Sequence, residues 1–264
     1  MKLLLSNDDG YKAPGINVLA STLSSHGHEV YIVAPMAERS GASASFSMQR
    51  ETALLRLSEK IYALDANPVN CVIAACKGLF PGLQFDAVLT GINKGPNMGT
   101  DVMYSGTCGA ARQAAVYGYP AIALSMTYTD LNYSKQEKEG DRLKYSALAD
   151  FTAKNLEKLI ALCKKFRHLE EEGGASYFIN INAPSADSFK GAGFALLSHS
   201  LYGDTVEVVE DEDGSLHAIS HGGKAPRYVG EGRTDWSLVK DGYVALSLLS
   251  TESQVNSQYC DGEF

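Results

Sequence analysis

The sequence predicts an α/β fold, in which a mostly parallel sheet carries helices on both faces and a C-terminal β-hairpin extension follows. Short apolar segments alternate with segments of helical period, and this alternation is typical of βαβ units around a parallel sheet. The first unit occupies residues 1–5, 16–23 and 29–34. Near the other end, residues 205–209 and 215–219 have strand composition and flank an Asp-Gly turn signal, which predicts the hairpin.

Each predicted strand of the sheet is a short apolar or β-branched run that stops at a polar or turn-forming residue. These strands cover residues 1–5, 29–34, 61–64, 87–90, 121–126, 177–181 and 243–249. The predicted helices carry apolar residues at helical spacing, and two of them follow an N-terminal signal, Asn67-Pro68 or Ser105-Gly106-Thr107. These helices cover residues 16–23, 68–76, 108–116 and 143–166.

The length of the chain, 264 residues, exceeds that of a typical single domain. We therefore expect a core over residues 1–195 and an extension over residues 196–264, whose final strand returns to the core. Because an isolated hairpin is only marginally stable in water, the predicted hairpin should pack on its own domain or on a second subunit.

Composition and charge exclude several classes of protein. The formal net charge is −8 and no run of Lys or Arg is long enough to follow a phosphate backbone, so we expect no polymeric nucleic acid partner. The five cysteines form no C-x-x-C pair, which argues against a disulfide framework and a structural zinc site. The sequence contains no signal peptide and no apolar stretch of membrane length, so we expect a cytoplasmic protein without a membrane partner.

Two adjacent carboxylates, Asp8 and Asp9, follow the first strand and precede Gly10, which lets the backbone turn sharply. Open α/β sheets bind ligands at the carboxyl ends of their strands, so both side chains can face one cleft there. Their like charges repel unless a cation lies between them, and their oxygen atoms suit Mg²⁺ or a similar hard ion. The alternative is that Asn-Asp-Asp-Gly forms only a polar turn.

A second loop is expected at the same edge of the sheet. Residues 36–50 leave the second strand and are rich in Ser, Ala and Gly. Neighbouring parallel strands end side by side, so Ser40 can reach the cleft of the two carboxylates. On the sequence alone Ser40 has no better claim than Ser43 or Ser45.

A third loop, residues 91–99, contains three glycines, a proline and two asparagines, and we expect it to be neither helix nor strand. The Ser105-Gly106-Thr107 turn follows shortly afterwards, at the start of a helix of small residues. Such a turn presents several N–H groups at the positive end of the helix and can bind a phosphate, or it can be a plain N-cap.

The sequence lacks the standard dinucleotide, P-loop and serine-hydrolase motifs. All six histidines lie outside the three loops, so a histidine-activated serine nucleophile has no support. What remains is metal-assisted hydrolysis of a phosphate ester, with a metal-activated water as the attacking group. The alternative is a non-catalytic module that binds a metal and an anion.

The chain resembles the SurE (survival protein E) family of 5′/3′-nucleotidases over nearly its whole length. The resemblance rests on these stretches in this order: Leu5–Gly10 with Pro14-Gly15, Ala34-Pro35 with Ser40-Gly41, Gly91-Ile92-Asn93 through Asn97, Tyr104–Thr107, and Gly118–Ser125. It implies a Rossmann-like core with an oligomer-forming carboxyl extension, in a homodimer or homotetramer. It also implies a phosphatase of nucleoside 5′- and 3′-monophosphates that in some members also trims short polyphosphate.

The same resemblance implies roles for individual residues. One divalent ion per subunit, Mg²⁺ or Mn²⁺, would be held by Asp8, Asp9, Ser40 and Asn93. The expected catalytic residues are Asp8, Asp9 and Asn97, and the expected phosphate-binding residues are Asn97, Ser105, Gly106 and Thr107. The chain departs from the usual family pattern at residues 66–72 and 247–249, but all four expected metal ligands are present.

Overall fold

The computed structural model describes residues 1–48, 51–128, 143–165, 176–221 and 227–252. Within these ranges the strands are β1 (Lys2–Ser6), β2 (Glu29–Pro35), β3 (Leu54–Arg56), β4 (Ile61–Leu64), β5 (Ala87–Lys94), β6 (Ala121–Met126), β7 (Tyr177–Ala183), β8 (Ala192–Phe194), β9 (His199–Leu201), β10 (Thr205–Glu210), β11 (Leu216–His221), β12 (Arg227–Val229) and β13 (Val244–Ser250). The α-helices are α1 (Pro14–Ser25), α2 (Pro68–Ala74), α3 (Gly106–Val116), α4 (Tyr145–Lys165) and α5 (Asp235–Lys240). A π-helical turn extends α2, and a 3-10 turn, Gly99–Met103, precedes α3.

Nine of the described strands form one sheet in the order β3-β4-β2-β1-β5-β6-β7-β13-β8. The six strands from β4 to β7 in this order are parallel, whereas β3 and β13 run antiparallel to β4 and β7. The chain builds the sheet outward from β1 to β4 and then continues on the other side of β1 with β5. The point where the order reverses therefore lies between β1 and β5, which is where open α/β sheets bind ligands.

The two faces of the sheet are covered by different helices, as the alternation of side chains along a strand requires. Leu3 and Leu5 of β1 pack in a cluster with α1 and α4. Leu4 points the other way, into a cluster with α2 and α3. Because both faces are covered, the central strands are apolar on both sides, and the predicted α/β fold is confirmed.

One part of the element prediction is wrong, because strand β5 does not end at Thr90. Asn93 and Lys94 pair with Ser125 and Met126 of β6 after a local irregularity in the register. Residues 91–94 therefore continue a central strand, which sets the directions of the Asn93 and Lys94 side chains, since a strand holds its side chains in fixed alternate directions.

The remaining differences concern short or terminal pieces. Helix α3 begins at Gly106, two residues before the predicted start, and helix α5 and the three-residue strands were not predicted. Three-residue strands carry too little periodicity to be recognised in a sequence. Residues 129–142, between β6 and α4, lie outside the described residues.

The predicted hairpin is present as β10 and β11, which pair from Thr205 opposite His221 to Glu210 opposite Leu216. Nearly all of its residues are exposed, including Val206, Val208 and Leu216. In the described ranges no helix is long and apolar enough to cross a membrane.

Candidate active site

A cleft of about 230 Å³ lies at the carboxyl ends of β1 and β5, next to the N-terminus of α3. Most of its lining comes from loops that leave these strands and from the turn before α3. The lining residues are Asp8, Ser40, Gly41, Asn93, Lys94, Gly95, Pro96, Asn97, Asp101, Tyr104, Ser105, Tyr128 and Tyr202. Three loops predicted to meet at this edge of the sheet therefore contribute to one cleft.

Asp8 is buried and is held by the start of α3. Its Oδ1 accepts a hydrogen bond from the Thr107 hydroxyl at 2.6 Å, and its Oδ2 accepts one from the Thr107 backbone N–H at 3.1 Å. Burial nevertheless raises the pKa of Asp8, because the hydrogen bonds only partly replace water. Thr107 thus orients Asp8, and neither Thr107 nor Gly106 lines the cleft.

Asp9 lies beside the cleft and is not among its lining residues. Its Oδ2 accepts a hydrogen bond from the backbone N–H of Lys94 at 3.0 Å, which joins the end of β1 to the end of β5. Burial, and after it the negative charge of Asp8, together raise the pKa of Asp9 to about 7.

Among the three serines left open by the sequence, only Ser40 lines the cleft. Its hydroxyl donates to Glu38 at 2.9 Å. The hydroxyl of Ser43 donates to the Met103 carbonyl, and that of Ser45 accepts from the Asn67 amide. These last two side chains therefore serve loop contacts, and the geometry favours Ser40 as the serine that can meet a ligand.

Asn93 and Asn97 both line the cleft, and both are buried. The Asn93 amide donates through Nδ2 to the Gly95 carbonyl at 2.9 Å, and its Oδ1 accepts no hydrogen bond from the described residues. The Asn97 amide donates through Nδ2 to the hydroxyl of Ser125 at 2.8 Å. Each amide group is therefore fixed in orientation by a neighbour.

The backbone of Asn97 is held by two buried asparagines of β7, which sequence reasoning missed. Asn97 N–H donates to Oδ1 of Asn182 at 2.8 Å, and the Asn97 carbonyl accepts from Asn180 at 2.8 Å and from Asn182 at 3.0 Å. Two asparagines in alternate positions of an apolar strand were the available signal, because buried polar groups need partners.

Ser105 lines the cleft and also caps helix α3, because its hydroxyl accepts from the Cys108 N–H at 3.0 Å. A helix N-cap and a phosphate-binding turn, the two alternatives for Ser105-Gly106-Thr107, are therefore compatible in this geometry. The next position favours glycine, since a Cβ on Gly106 would meet Cβ and Oδ2 of Asp8 at 3.0 Å each, and these atoms would have to shift by a few tenths of an ångström. The helix N-terminus thus comes as close to Asp8 as the backbone allows.

The region beyond residue 195 reaches the cleft, where Tyr202 lines it and contacts Asp101. Sequence reasoning also missed this contact. Asp101 is buried, lines the cleft, and accepts hydrogen bonds from the hydroxyls of Tyr202 and Tyr228, the latter at 3.2 Å. Burial raises the pKa of Asp101, and its hydrogen bonds oppose that change. Asp235 holds the neighbouring turn by accepting from Gly99 N–H at 2.7 Å.

The donor set at this cleft fits a hard divalent cation. Both carboxylates have raised pKa values, the negative charge of Asp8 disfavours ionisation of Asp9, and Lys94 only weakly offsets this for Asp9. The nearby hydroxyl of Ser40 and Oδ1 of Asn93 are oxygen donors as well, which suits Mg²⁺ or Mn²⁺ better than Zn²⁺. Across the described ranges no three His, Cys, Asp or Glu side chains form a metal-binding group.

Comparison with known proteins gives a consistent result. The family model described as "Survival protein SurE" matches residues 3–204. The 5′-nucleotidase SurE of Gemmatimonas aurantiaca is 34% identical over 253 residues, which cover 94% of this chain and 92% of that protein. The 5′-nucleotidase SurE of Treponema pallidum is 35% identical over 203 residues, which cover 76% of this chain and 99% of that protein. The SurE protein from Aquifex aeolicus has a similar structure, with a TM-score of 0.76 and 26% identity over 98% of this chain and 96% of that one. The predicted family is thereby confirmed, and the chain belongs to the SurE family.

Proposed function

We propose that this chain is a metal-dependent phosphatase that hydrolyses nucleoside 5′-monophosphates, and also 3′-monophosphates and short polyphosphate. Membership of the SurE family makes the chain a phosphoric monoester hydrolase of the 5′-nucleotidase type. The observation that carries the metal dependence is the pair of carboxylates with raised pKa values, Asp8 in the cleft lining and Asp9 beside the cleft, next to amide and hydroxyl oxygens of the lining.

One divalent cation per subunit, Mg²⁺ or Mn²⁺, would be held by Asp8, Asp9, Ser40 and Asn93. Such an ion, when bound, neutralises phosphate charge and makes water a better nucleophile at neutral pH. The chain itself supplies orientation, because Thr107 holds Asp8 and the Gly95 carbonyl holds the Asn93 amide. A preorganised donor set of this kind need not rearrange when the ion binds.

Asn97 and the N-terminus of α3 would hold the phosphoryl group. The Asn97 amide is fixed by Ser125, and the Ser105 side chain lies at the positive end of the helix, where anions are favoured. Direct attack by water fits this cleft better than a covalent intermediate, because none of the lining residues is a histidine that could activate a serine.

One carboxylate would orient the attacking water and take its proton. Both oxygens of Asp8 already accept hydrogen bonds from Thr107, whereas the Asp9 side chain accepts one hydrogen bond from the described residues, through Oδ2. Asp9 therefore has the freer carboxylate for this role. A trapped phosphorylated enzyme, or retained configuration at a chiral phosphate, would contradict direct attack by water.

The proposal includes a homodimer or homotetramer, a cytoplasmic location and no partner among polymeric nucleic acids or membranes. The exposed apolar residues of the β10–β11 hairpin support assembly, because such a surface is normally covered by protein. The net charge of −8 supports the absence of a polyanionic partner.

The test is a phosphate-release assay on purified protein with nucleoside 5′- and 3′-monophosphates, short polyphosphate and an aryl phosphate. Each substrate is assayed with Mg²⁺, with Mn²⁺ and with chelator. We expect turnover that chelator removes, and a loss of at least about 100-fold in kcat for Asp9→Asn. Full activity in chelator would contradict the metal-dependent reaction, and absence of turnover on every substrate would favour the non-catalytic binding module.

Two asparagine variants separate metal binding from phosphate binding in the same assay. Asn93→Ala should raise the metal concentration needed for half-maximal activity. Asn97→Ala should lower kcat by about 10- to 100-fold at saturating metal with the metal requirement unchanged, because its amide is assigned to the phosphoryl group. The assignments fail if both variants change the same parameter.

A further inference from the structure

Tyr104 presents a large aromatic surface to solvent at the edge of the cleft. Tyr104 is 61% exposed, although it lines the cleft. In the sequence it directly precedes Ser105. Its backbone is fixed on both sides, because its N–H donates to the Asp101 carbonyl at 3.0 Å and its carbonyl accepts from Ser43 N–H at 2.9 Å. The chain thus holds an exposed ring one residue from the proposed phosphate-binding turn.

Tyr202 is a second exposed ring in the same lining, and it comes from the region beyond residue 195. It is 44% exposed, and its hydroxyl is tied to the buried carboxylate of Asp101. The same carboxylate accepts from Tyr228, whose ring stacks on Trp236 with centroids 4.6 Å apart. This chain of contacts fixes the direction of Tyr202 while leaving much of its ring accessible.

The third tyrosine of the lining, Tyr128, is different. It is only partly exposed, its hydroxyl donates to the Lys94 carbonyl at 3.3 Å, and its ring lies against Gly95. A ring packed against the backbone offers less free surface to a ligand. The two accessible aromatic surfaces of the cleft are therefore those of Tyr104 and Tyr202.

We propose that Tyr104 and Tyr202 form a nucleobase subsite, so that the cleft selects phosphate esters whose leaving group carries an aromatic base. This inference rests on the proposed function. Base–aromatic stacking is tolerant of base identity because every base has a π-face, so the subsite distinguishes nucleotides from sugar phosphates without selecting one base. The hydroxyl contact to Asp101 holds the ring of Tyr202 before substrate arrives, and the backbone contacts hold the Cα position of Tyr104, which reduces the entropy lost on binding.

The experiment compares kcat/KM for adenosine 5′-monophosphate and ribose 5-phosphate, which share the phosphate and the ribose and differ by the base. The wild-type protein should prefer the nucleotide. Tyr104→Ala should lower that preference by about tenfold, mainly through KM, as expected for the loss of one stacking contact. Tyr104→Phe keeps the ring and should keep most of the preference.

Tyr202 is tested by the same pair of substitutions. Tyr202→Ala removes the ring and should lower the preference, whereas Tyr202→Phe keeps the ring, removes the hydroxyl that bonds Asp101, and should lower the preference less. Met103→Ala is the matched control, because Met103 is also 61% exposed and adjoins Tyr104 but does not line the cleft. This control should leave the preference unchanged.

If Tyr104→Ala and Tyr202→Ala leave the preference for the nucleotide over ribose 5-phosphate unchanged, the proposed subsite is overturned. A change of molar mass in those variants would also overturn it, because it would assign the rings to subunit contact. If the wild-type protein hydrolysed neither substrate, the proposed function would fail by itself. Calorimetric titration would then decide the subsite, because the wild-type protein must bind the nucleotide more tightly than ribose 5-phosphate. Equal affinities would overturn it.

Discussion

Asp8 and Asp9 lower the stability of the folded protein at neutral pH unless a cation balances them. The pKa of Asp9 is raised from 3.8 to about 7, chiefly by burial and then by Asp8. Between these two values the folded chain keeps a proton that the unfolded chain has released. The protonated Asp9 therefore contributes to the free energy of unfolding in full below pH 3.8, and this contribution is lost as the pH rises towards 7.

Metal binding should consequently stabilise the protein more at alkaline than at acidic pH, since the ion binds the ionised carboxylates. The measurement is thermal unfolding with Mn²⁺ and with chelator, at about pH 5 and about pH 8. We expect the increase in Tm caused by the ion to be larger at the higher pH by at least about 3 °C. Asp9→Asn should reduce this difference, and an equal increase at both pH values would contradict the argument.

At the scale of the elements, the N-terminus of α3 and the end of β1 meet at Gly106. A methyl group there would lie 3.0 Å from two atoms of Asp8. Asp8 cannot move away freely, because it is buried and both of its carboxylate oxygens are bonded to Thr107. The close approach therefore couples the position of the helix to the position of the carboxylate.

Gly106→Ala should lower kcat or metal affinity by about tenfold, since displacements of a few tenths of an ångström matter at a catalytic group. Steady-state kinetics over a range of metal concentrations measures both quantities. Gly78→Ala is the matched control, because no atom lies within 4 Å of a methyl group at that position. Wild-type kinetics in the Gly106 variant would show that this junction does not determine the reaction.

At the scale of the whole molecule, the hairpin of β10 and β11 exposes apolar side chains that a partner surface would cover. Val206, Val208 and Leu216 are each more than 60% exposed, and the register places Val206 and Val208 on one face. A two-stranded ribbon of this kind is marginal in water when it packs on nothing. We therefore expect the hairpin to lie against a second subunit.

Replacing residues 204–220 by a short flexible linker should convert the oligomer into a monomer or an aggregate. Val208→Lys should weaken assembly, because it adds a charge to the apolar face, and Glu212→Lys at the turn serves as the control. Light scattering at micromolar concentration gives the molar mass of each protein. A strictly monomeric wild-type chain would contradict this prediction.

The sequence by itself determined the fold class and the edge of the sheet at which the cleft lies. Apolar period and turn residues are local signals, and they were sufficient to place the central strands, although not the end of β5, and to place an N-terminal signal before α3. The two carboxylates were also found locally, because Asp8 and Asp9 directly follow a strand. The assignment of ligands to individual residues, and the boundary at residue 195, stay predictions.

Only the tertiary structure decided which polar groups meet. It brought Ser40 into the lining and left Ser43 and Ser45 in loop contacts. It placed Asn182 behind Asn97, 85 residues away, and tied Tyr202 to Asp101 across 101 residues. No periodicity encodes such pairs, because each one forms when separate strands and loops pack against each other, and the energy of the contact exists only after the sheet is complete.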